Sequence, residues 1–340
     1  MIRRATLLSL LLVSAGAVNA QPVPLGANLE RFNYPHPVRW FETRSQGRPV
    51  RMAYMDVPPT GTKNGRVAVL LHGKNFCAVT WEHMIGTLAA AGYRVIAPDQ
   101  IGFCKSSKPA GYQYSLAALA TLTRDLLARA GAKRPVLVGH STGGMLAMRY
   151  ALLFPDQVEK LVLVNPLRLN DTLAEGVPYA DLGTLRAEED RTDAASIKAY
   201  QLRNYYHGAW RPAYDRWVGM LAGQYAGPDG GVVRDAQARL SDMIQTQPVA
   251  HELSRIAVPV TLLIGQEDLT AFRGGTAPVS LRSRVRTVPQ AAEVAATLIH
   301  GAKLIRLPGL GHSPQVEAPE RFEAVLLNAI APAARLRLAP

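Results

Sequence analysis

Pro135-Val136-Leu137-Val138-Gly139-His140-Ser141-Thr142-Gly143-Gly144-Met145-Leu146-Ala147-Met148 is the stretch on which the reading of this chain turns. Its first four residues form an apolar run, as in a strand buried on both faces. Gly143 to Phe154, packed with Met, Ala and Leu, reads as a helix. Between them stands G-x-S-x-G. The five letters alone are weak, because a glycine-rich turn with a capping serine looks the same. Between a buried strand and a helix they describe a nucleophile elbow. Gly139 and Gly143 permit the tight turn and close helix–strand packing, and Ser141 is held strained with its Oγ exposed at the strand's carboxyl end. The helix N-terminus behind it favours developing negative charge.

Outward from this point the pattern repeats. Val67 to Leu71 is an apolar run broken by His72-Gly73, and Thr80 to Ala91 reads as a helix with Thr80 as N-cap and Gly92 as stop. Tyr93 to Ala97 is the next strand, Leu116 to Ala130 an amphipathic helix, and Leu161 to Val164 a further strand. Such alternation implies a parallel sheet with helices on both faces. Val38 to Thr43 and Val50 to Asp56 are strand-like runs joined by a turn. After Pro166 the period is lost, and residues 170–254 read as helical and rich in Tyr and Trp. Strand pattern returns at Val258 to Ile264 and Lys303 to Leu307, and Pro319 to Ile330 closes the chain as a helix. The helical block between two sheet segments reads as a cap. The expected organisation is therefore a segment 1–20, a core from 21–165 and 256–340, and a cap over 166–255.

A serine hydroxyl needs a general base, and that base needs a carboxylate to orient it. Behind an elbow of this kind the partners follow in the order serine, acid, histidine. His312, in the loop Pro308-Gly309-Leu310-Gly311-His312 after the last strand, is the expected base. His207 and His251 fall in the cap, and His300 in a predicted helix. Asp268, beyond Leu262-Leu263-Ile264-Gly265, is the expected acid, with Glu267 and Asp171 as rivals that local sequence does not separate. The oxyanion needs two backbone N–H donors, expected from Thr142 and Lys74. His72 and Asp99 read as braces for their loops.

These motifs, with Asp99-Gln100-Ile101-Gly102-Phe103 and Gly311-His312-Ser313-Pro314, resemble the α/β-hydrolase superfamily from about Val38 to Ile330. They are most similar to its capped members: epoxide hydrolases, haloalkane dehalogenases, esterases and C–C-bond hydrolases. The resemblance implies a mostly parallel eight-stranded sheet, helices on both faces and an inserted helical cap. The first two of those activities rest on an aspartate nucleophile, whereas this chain has Ser141. The glycine-proline pattern of proline iminopeptidases after His-Gly is replaced by Lys74-Asn75. Ala271 to Pro289 is long for the family and rich in Arg and Gly. In the resembling fold the loops holding Cys77 and Cys104 lie at one sheet edge. A disulfide between them is one expectation; two separate buried thiols are the other.

The 340 residues are 48% hydrophobic and 19% charged, a globular composition. Arg3-Arg4, an apolar run from Ala5 to Val18, and Val18-Asn19-Ala20 before Gln21-Pro22 form the three-part pattern of a secretory signal cleaved after Ala20. A membrane anchor is the alternative, but the run is short and interrupted by Ser9, Ser14 and Gly16. The mature protein is thus expected in the periplasm or outside the cell. Net charge is +12, but the charges are scattered, with no basic–aromatic repeat of a nucleic-acid binder. No metal-ligand spacing and no phosphate-binding glycine loop occurs, so no cofactor is implied. The expected reaction is hydrolysis of a small-molecule carboxylic ester through an acyl-enzyme. An amide, lactone or carbon–carbon bond cleaved by the same triad is the second reading. A non-catalytic binding protein on this scaffold is the third.

Overall fold

The computed structural model describes residues 22–331, so the expected signal segment lies outside the described residues. Eight strands form one sheet in the order β1-β2-β4-β3-β5-β6-β7-β8. They are β1 Val38–Ser45, β2 Arg48–Val57, β3 Val67–Leu71, β4 Arg94–Pro98, β5 Val136–His140, β6 Lys160–Val164, β7 Val260–Gly265 and β8 Lys303–Leu307. The first two form an antiparallel hairpin, β2 runs antiparallel to β4, and all pairings from β4 to β8 are parallel.

The unbroken apolar runs have a direct cause. Successive side chains of a strand point to opposite faces. Val136 and Val138 of β5 join one core cluster and Leu137 joins the other; in β3, Ala68 and Leu70 oppose Val69 and Leu71. Helices cover both faces. On one lie α1 (Glu82–Ala90) and the terminal helix Pro319–Ile330, through Met84, Leu88, Phe322 and Leu326. On the other lie α2 (Leu116–Arg129), α3 (Thr142–Leu153) and α8 (Val288–Leu298), through Leu119, Met145 and Ala292.

One helix start differs from expectation. Thr80 lies inside a 3-10 turn, Ala78–Trp81, and α1 begins at Glu82. The Thr80 hydroxyl donates to the Cys77 carbonyl at 2.7 Å, so it is committed backwards and does not cap α1. His300 likewise lies in the turn after α8, which ends at Leu298.

Between β6 and β7 the chain leaves the sheet and forms α4 (Leu182–Asp190), α5 (Ala194–Asn204), α6 (Asp215–Tyr225) and α7 (Gly230–Thr246). Tyr206, Tyr214, Trp217, Met220 and Leu240 of this segment join the same apolar cluster as the sheet residues Val69, Leu137 and Leu163. The segment from Leu25 to Phe32 docks on α6, with Leu25 N–H donating to Gly223 O at 2.8 Å.

Candidate active site

The elbow sits where β5 meets α3. Ser141 has φ 55° and ψ −119°, a conformation that costs a non-glycine residue about 1–3 kcal/mol. Flanking glycines make it possible. A Cβ on Gly139 would lie 2.4 Å from Gly143 O, and one on Gly143 would lie 2.2 Å from Leu71 O. The Ser141 N–H donates to Val164 O at 3.0 Å, and Ser141 O accepts from Leu167 N at 3.2 Å. The strained residue is thus stitched to the end of β6.

His312 Nε2 lies 3.0 Å from Ser141 Oγ, and His312 Nδ1 lies 2.7 Å from Asp268 Oδ2. The His312 and Asp268 side chains have no solvent exposure. With Nδ1–H donating to the carboxylate, Nε2 is left as the acceptor facing the serine hydroxyl. The other Asp268 oxygen, Oδ1, accepts from Thr270 N at 2.8 Å. The rivals stand elsewhere: Glu267 is exposed, and Asp171 pairs with Arg168 and His251.

The loop carrying His312 is clamped from several sides. Asn165, fully buried just past β6, donates from Nδ2 to Gly311 O at 2.9 Å and to His312 O at 2.8 Å. Its Oδ1 accepts from Gly265 N at 2.9 Å, at the end of the strand that leads to Asp268. One side chain therefore ties base and acid segments together. Glu317 Oε2 accepts from Gly311 N at 2.7 Å, and His312 N donates to Tyr205 O at 2.9 Å. The Tyr205 ring stacks on the His312 ring at 4.6 Å. Neither Asn165 nor Glu317 was singled out by sequence. The available signal for Asn165 was its place: Asn tolerates positive φ, here 40°, directly after a buried strand.

His140 donates from Nε2 to His312 O at 2.8 Å. Burial, with the neighbouring His312, holds its pKa well below the ordinary histidine value, so it stays neutral. His72 braces the preceding loop: Nδ1 donates to Gly73 O at 2.9 Å and Nε2 accepts from Gln100 N at 3.1 Å. Burial lowers its pKa as well. Asp99 fixes two loops at once, accepting from Ala78 N at 2.8 Å and Lys105 N at 3.0 Å, and also from the Tyr34 hydroxyl at 2.7 Å.

Lys74 and Thr142 flank the serine. Neither backbone N–H has an acceptor among the described residues. Gly73 approaches so closely that a Cβ there would stand 2.9 Å from Ser141 Cβ. The Lys74 ammonium pairs with Glu189 of α4 at 2.9 Å. Cys77 and Cys104 are joined in a disulfide, with Cα atoms 5.7 Å apart. It links the chain just after the Lys74 loop to the loop after β4.

His72, Asp99 and Cys104 bring three ligand-type atoms within 4.8 Å of one another. They do not suit a metal: Cys104 is spent in the disulfide, and the other two already hold their hydrogen-bond partners. No helix among the described residues is long and apolar enough to cross a membrane.

A cavity of about 570 Å³ opens beside Lys74 and Asn75, under α4–α7. The tyrosines and tryptophans of this segment divide their work. Tyr206 stacks on Tyr214 at 3.9 Å with Trp210 edge-on to both, which is internal core. Tyr200 and Tyr225 line the cavity. Burial and the Asp268 charge push the Tyr200 phenol up to about 12. The cavity wall mixes polar and apolar surface in about equal parts, with Phe103, Leu221 and Phe272 beside the charged side chains. Arg273, from the long segment after Asp268, closes one side and pairs with Glu188.

An elbow serine, a buried histidine and a buried aspartate at the carboxyl edge of this sheet order are a hydrolase constellation. Residues 67–319 match the family model for the alpha/beta hydrolase fold. The chain belongs to the α/β-hydrolase family. A crystal structure of a probable hydrolytic enzyme from Pseudomonas aeruginosa is 50% identical, covers 92% of this chain and all of that one, and superposes with a TM-score of 0.90. Epoxide hydrolase A of Mycobacterium tuberculosis is 39% identical over 110 residues, which are 32% of this chain and 34% of that protein. An esterase from Exiguobacterium antarcticum, 21% identical over 83% of this chain and 96% of its own, shares the fold with a TM-score of 0.65. At 36–41% identity the chain spans only 29–39% of the length of curated relatives that it matches. The α/β hydrolase is an enzyme family of hydrolytic chemistry, with specificity set by what surrounds the elbow.

Proposed function

We propose that this α/β hydrolase is a serine enzyme that cleaves a carboxylic ester through an acyl-enzyme. One observation carries the reading: the unbroken relay Ser141 Oγ–His312 Nε2 at 3.0 Å and His312 Nδ1–Asp268 Oδ2 at 2.7 Å. Ser141 Oγ attacks the carbonyl carbon while its proton passes to His312 Nε2. The oxyanion accepts hydrogen bonds from the Lys74 and Thr142 N–H groups. His312 returns the proton to the leaving oxygen as the C–O bond breaks, releasing the alcohol. Water then gives a proton to His312 and its oxygen to the acyl carbon; collapse frees the acid and restores Ser141. Asp268 keeps the imidazole in its working tautomer throughout.

Epoxide opening fits poorly despite the epoxide hydrolase relatives. A carboxylate nucleophile gives an ester intermediate that water can cleave, whereas Ser141 would leave a stable ether. In this reading the segment 166–255 acts as a cap over the core of 21–165 and 256–340. The mature chain works outside the cytoplasm, supported by the sequence of residues 1–20 and by the Cys77–Cys104 bond.

The test compares wild type with Ser141→Ala on a panel of esters, amides and lactones, beside labelling with a fluorophosphonate. Esters are expected to be turned over fastest, with Ser141→Ala losing about three or more orders of magnitude and the adduct located on Ser141. Absence of both turnover and adduct would sink the reading in favour of a binding protein.

A further inference from the structure

The cavity under α4–α7 has a charge and hydrogen-bonding pattern that the relay does not use. Three cations and two carboxylates line it: Lys74, Arg203, Arg273, Glu188 and Glu189. Lys74 pairs with Glu189 at 2.9 Å, and Arg273 pairs with Glu188. Tyr225 adds its hydroxyl to Glu189 at 2.8 Å. That leaves Arg203, an exposed residue at the end of α5 on the rim of the cavity, with no carboxylate and no hydrogen-bond acceptor among the described residues. Across the cavity stand Gln224 of α6 and Ser241 of α7, only 4% and 7% exposed. Neither side chain has a protein hydrogen-bond partner among the described residues. Gln237, 7% exposed, donates from Nε2 to Gly102 O at 3.2 Å and keeps its Oε1 free.

The polar atoms of Gln224, Ser241 and Gln237 Oε1 face the cavity and its solvent. An alkyl chain seated against them would remove that solvent and leave them unpartnered, at about 1–3 kcal/mol each. A polar ligand would satisfy them. One uncompensated guanidinium suits a single negative charge, and its planar fork suits a carboxylate. A doubly charged phosphate would meet the carboxylates of Glu188 and Glu189 with only one cation spare.

We infer that this cavity is the specificity subsite of the enzyme and takes an ester that carries a carboxylate, seated on Arg203, with its polar groups hydrogen-bonded by Gln224, Gln237 and Ser241. The inference rests on the ester reading above and adds the substrate class. Lys74 and Asn75 line the cavity and follow Gly73, which packs against Ser141, so in this proposal the ester end of a substrate seated there extends along this loop toward the elbow. Arg203 also complements the carboxyl end of α5, a purely structural role. That role predicts equal losses on every substrate, and the subsite role does not.

The experiment compares monomethyl adipate with methyl hexanoate by pH-stat, for the intact protein, Arg203→Gln and Arg255→Gln. Arg255 is a surface control, 71% exposed and paired with Glu252. Wild type is expected to favour the anionic ester by about tenfold or more in kcat/KM. R203Q should collapse that ratio through KM, while R255Q keeps it. Equal kcat/KM on the two esters in wild type, or an equal fall on both in R203Q, would overturn the subsite. A second arm needs no turnover. Adipate is titrated calorimetrically into Ser141→Ala and into S141A/R203Q. Salt-sensitive binding lost with Arg203 supports the subsite even if no ester is cleaved, which would count against the ester reading alone. Ester cleavage with no adipate binding would count against the subsite alone.

Discussion

Around His312 the polar atoms have their partners: Nδ1 on Asp268, Nε2 on Ser141, N–H on Tyr205 O, and the carbonyl under Asn165 and His140. In the cavity that Lys74 lines, Arg203, Gln224 and Ser241 have none among the described residues. The two regions share the Lys74 loop yet follow different physics. A fully satisfied buried network is rigid, and rigidity is what proton transfer across 3.0 Å requires. A network left open is rigid only when something fills it, so it discriminates between ligands. The difference teaches that chemistry here is built into the folded chain, while selectivity is left for the substrate to complete.

The largest effect is expected from breaking the satisfied region at its acid. Asp268→Asn preserves the shape but lets the His312 tautomer invert, so that Nε2 no longer accepts the serine proton. A fall of about ten-thousand-fold in kcat is expected with little change in KM, as steady-state kinetics on one good ester will reveal. A fall of tenfold or less would mean that the histidine is oriented by its backbone clamps and not by the carboxylate.

Next in size is the tie between the two regions. Cys77 follows the Lys74 loop, and Cys104 lines the cavity. The bond closes a loop with a sequence separation of 27, for which constraint of the unfolded chain gives about 3.5 kcal/mol. Cys77→Ser with Cys104→Ser should lower stability by that order in denaturant titrations, and lower kcat because the Lys74 loop beside Ser141 loses its anchor. An unchanged midpoint would show that Asp99 and His72 alone hold the loop.

Asn165 offers a finer cut. Asn165→Ala leaves Gly265 N–H without its acceptor and two loop carbonyls with one donor fewer. A loss of about 2 kcal/mol in stability is expected, with kcat falling roughly tenfold to a hundredfold while KM holds. A purely structural asparagine would give the stability loss with kcat intact, so kinetics measured well below the unfolding temperature separate the two.

How far these regions could be read from sequence differs in the same way. The sheet was legible because two-sided burial writes continuous apolar runs, and the elbow because strand, glycines and helix must be adjacent in the chain. His312 was legible from its place after the last strand. Asp268 was distinguishable from Glu267 and Asp171 only in three dimensions, where one is buried on the histidine, one is exposed and one is paired with Arg168. Asn165, Glu317 and Arg203 were not legible. The partners of Asn165 and Glu317 lie 100 and 6 residues away, and what marks Arg203 is a missing partner, which no single sequence displays. Thr80 shows the opposite error. Its letters fit a helix cap, but its hydroxyl was captured by Cys77 O.

The smallest effect is also the most graded, and it concerns how the satisfied region responds to acid. His72 and His140 are buried, and burial lowers both pKa values, so the folded state resists their protonation while the unfolded chain accepts protons from about pH 6.5 downward. In that window the unfolded state binds more protons, and stability falls with falling pH. The contribution is complete above about pH 6.5 and is lost as pH drops toward the folded-state values. Its slope is at most ~1.4 kcal/mol per pH unit for each histidine. Urea titrations at pH 7, 6 and 5 should show the decline, and His72→Asn should make it shallower while His140 keeps its share, because the asparagine amide keeps a donor for the Gly73 carbonyl without a titrating ring. Carboxylates held low by hydrogen bonds, such as Asp171 and Glu252, lose their contribution only at lower pH, so the upper window belongs to the imidazoles. A wild-type curve that stays flat from pH 7 to 5 would mean that these rings take up protons in place, and the claim that burial keeps His72 and His140 neutral beneath Ser141 would fall with it.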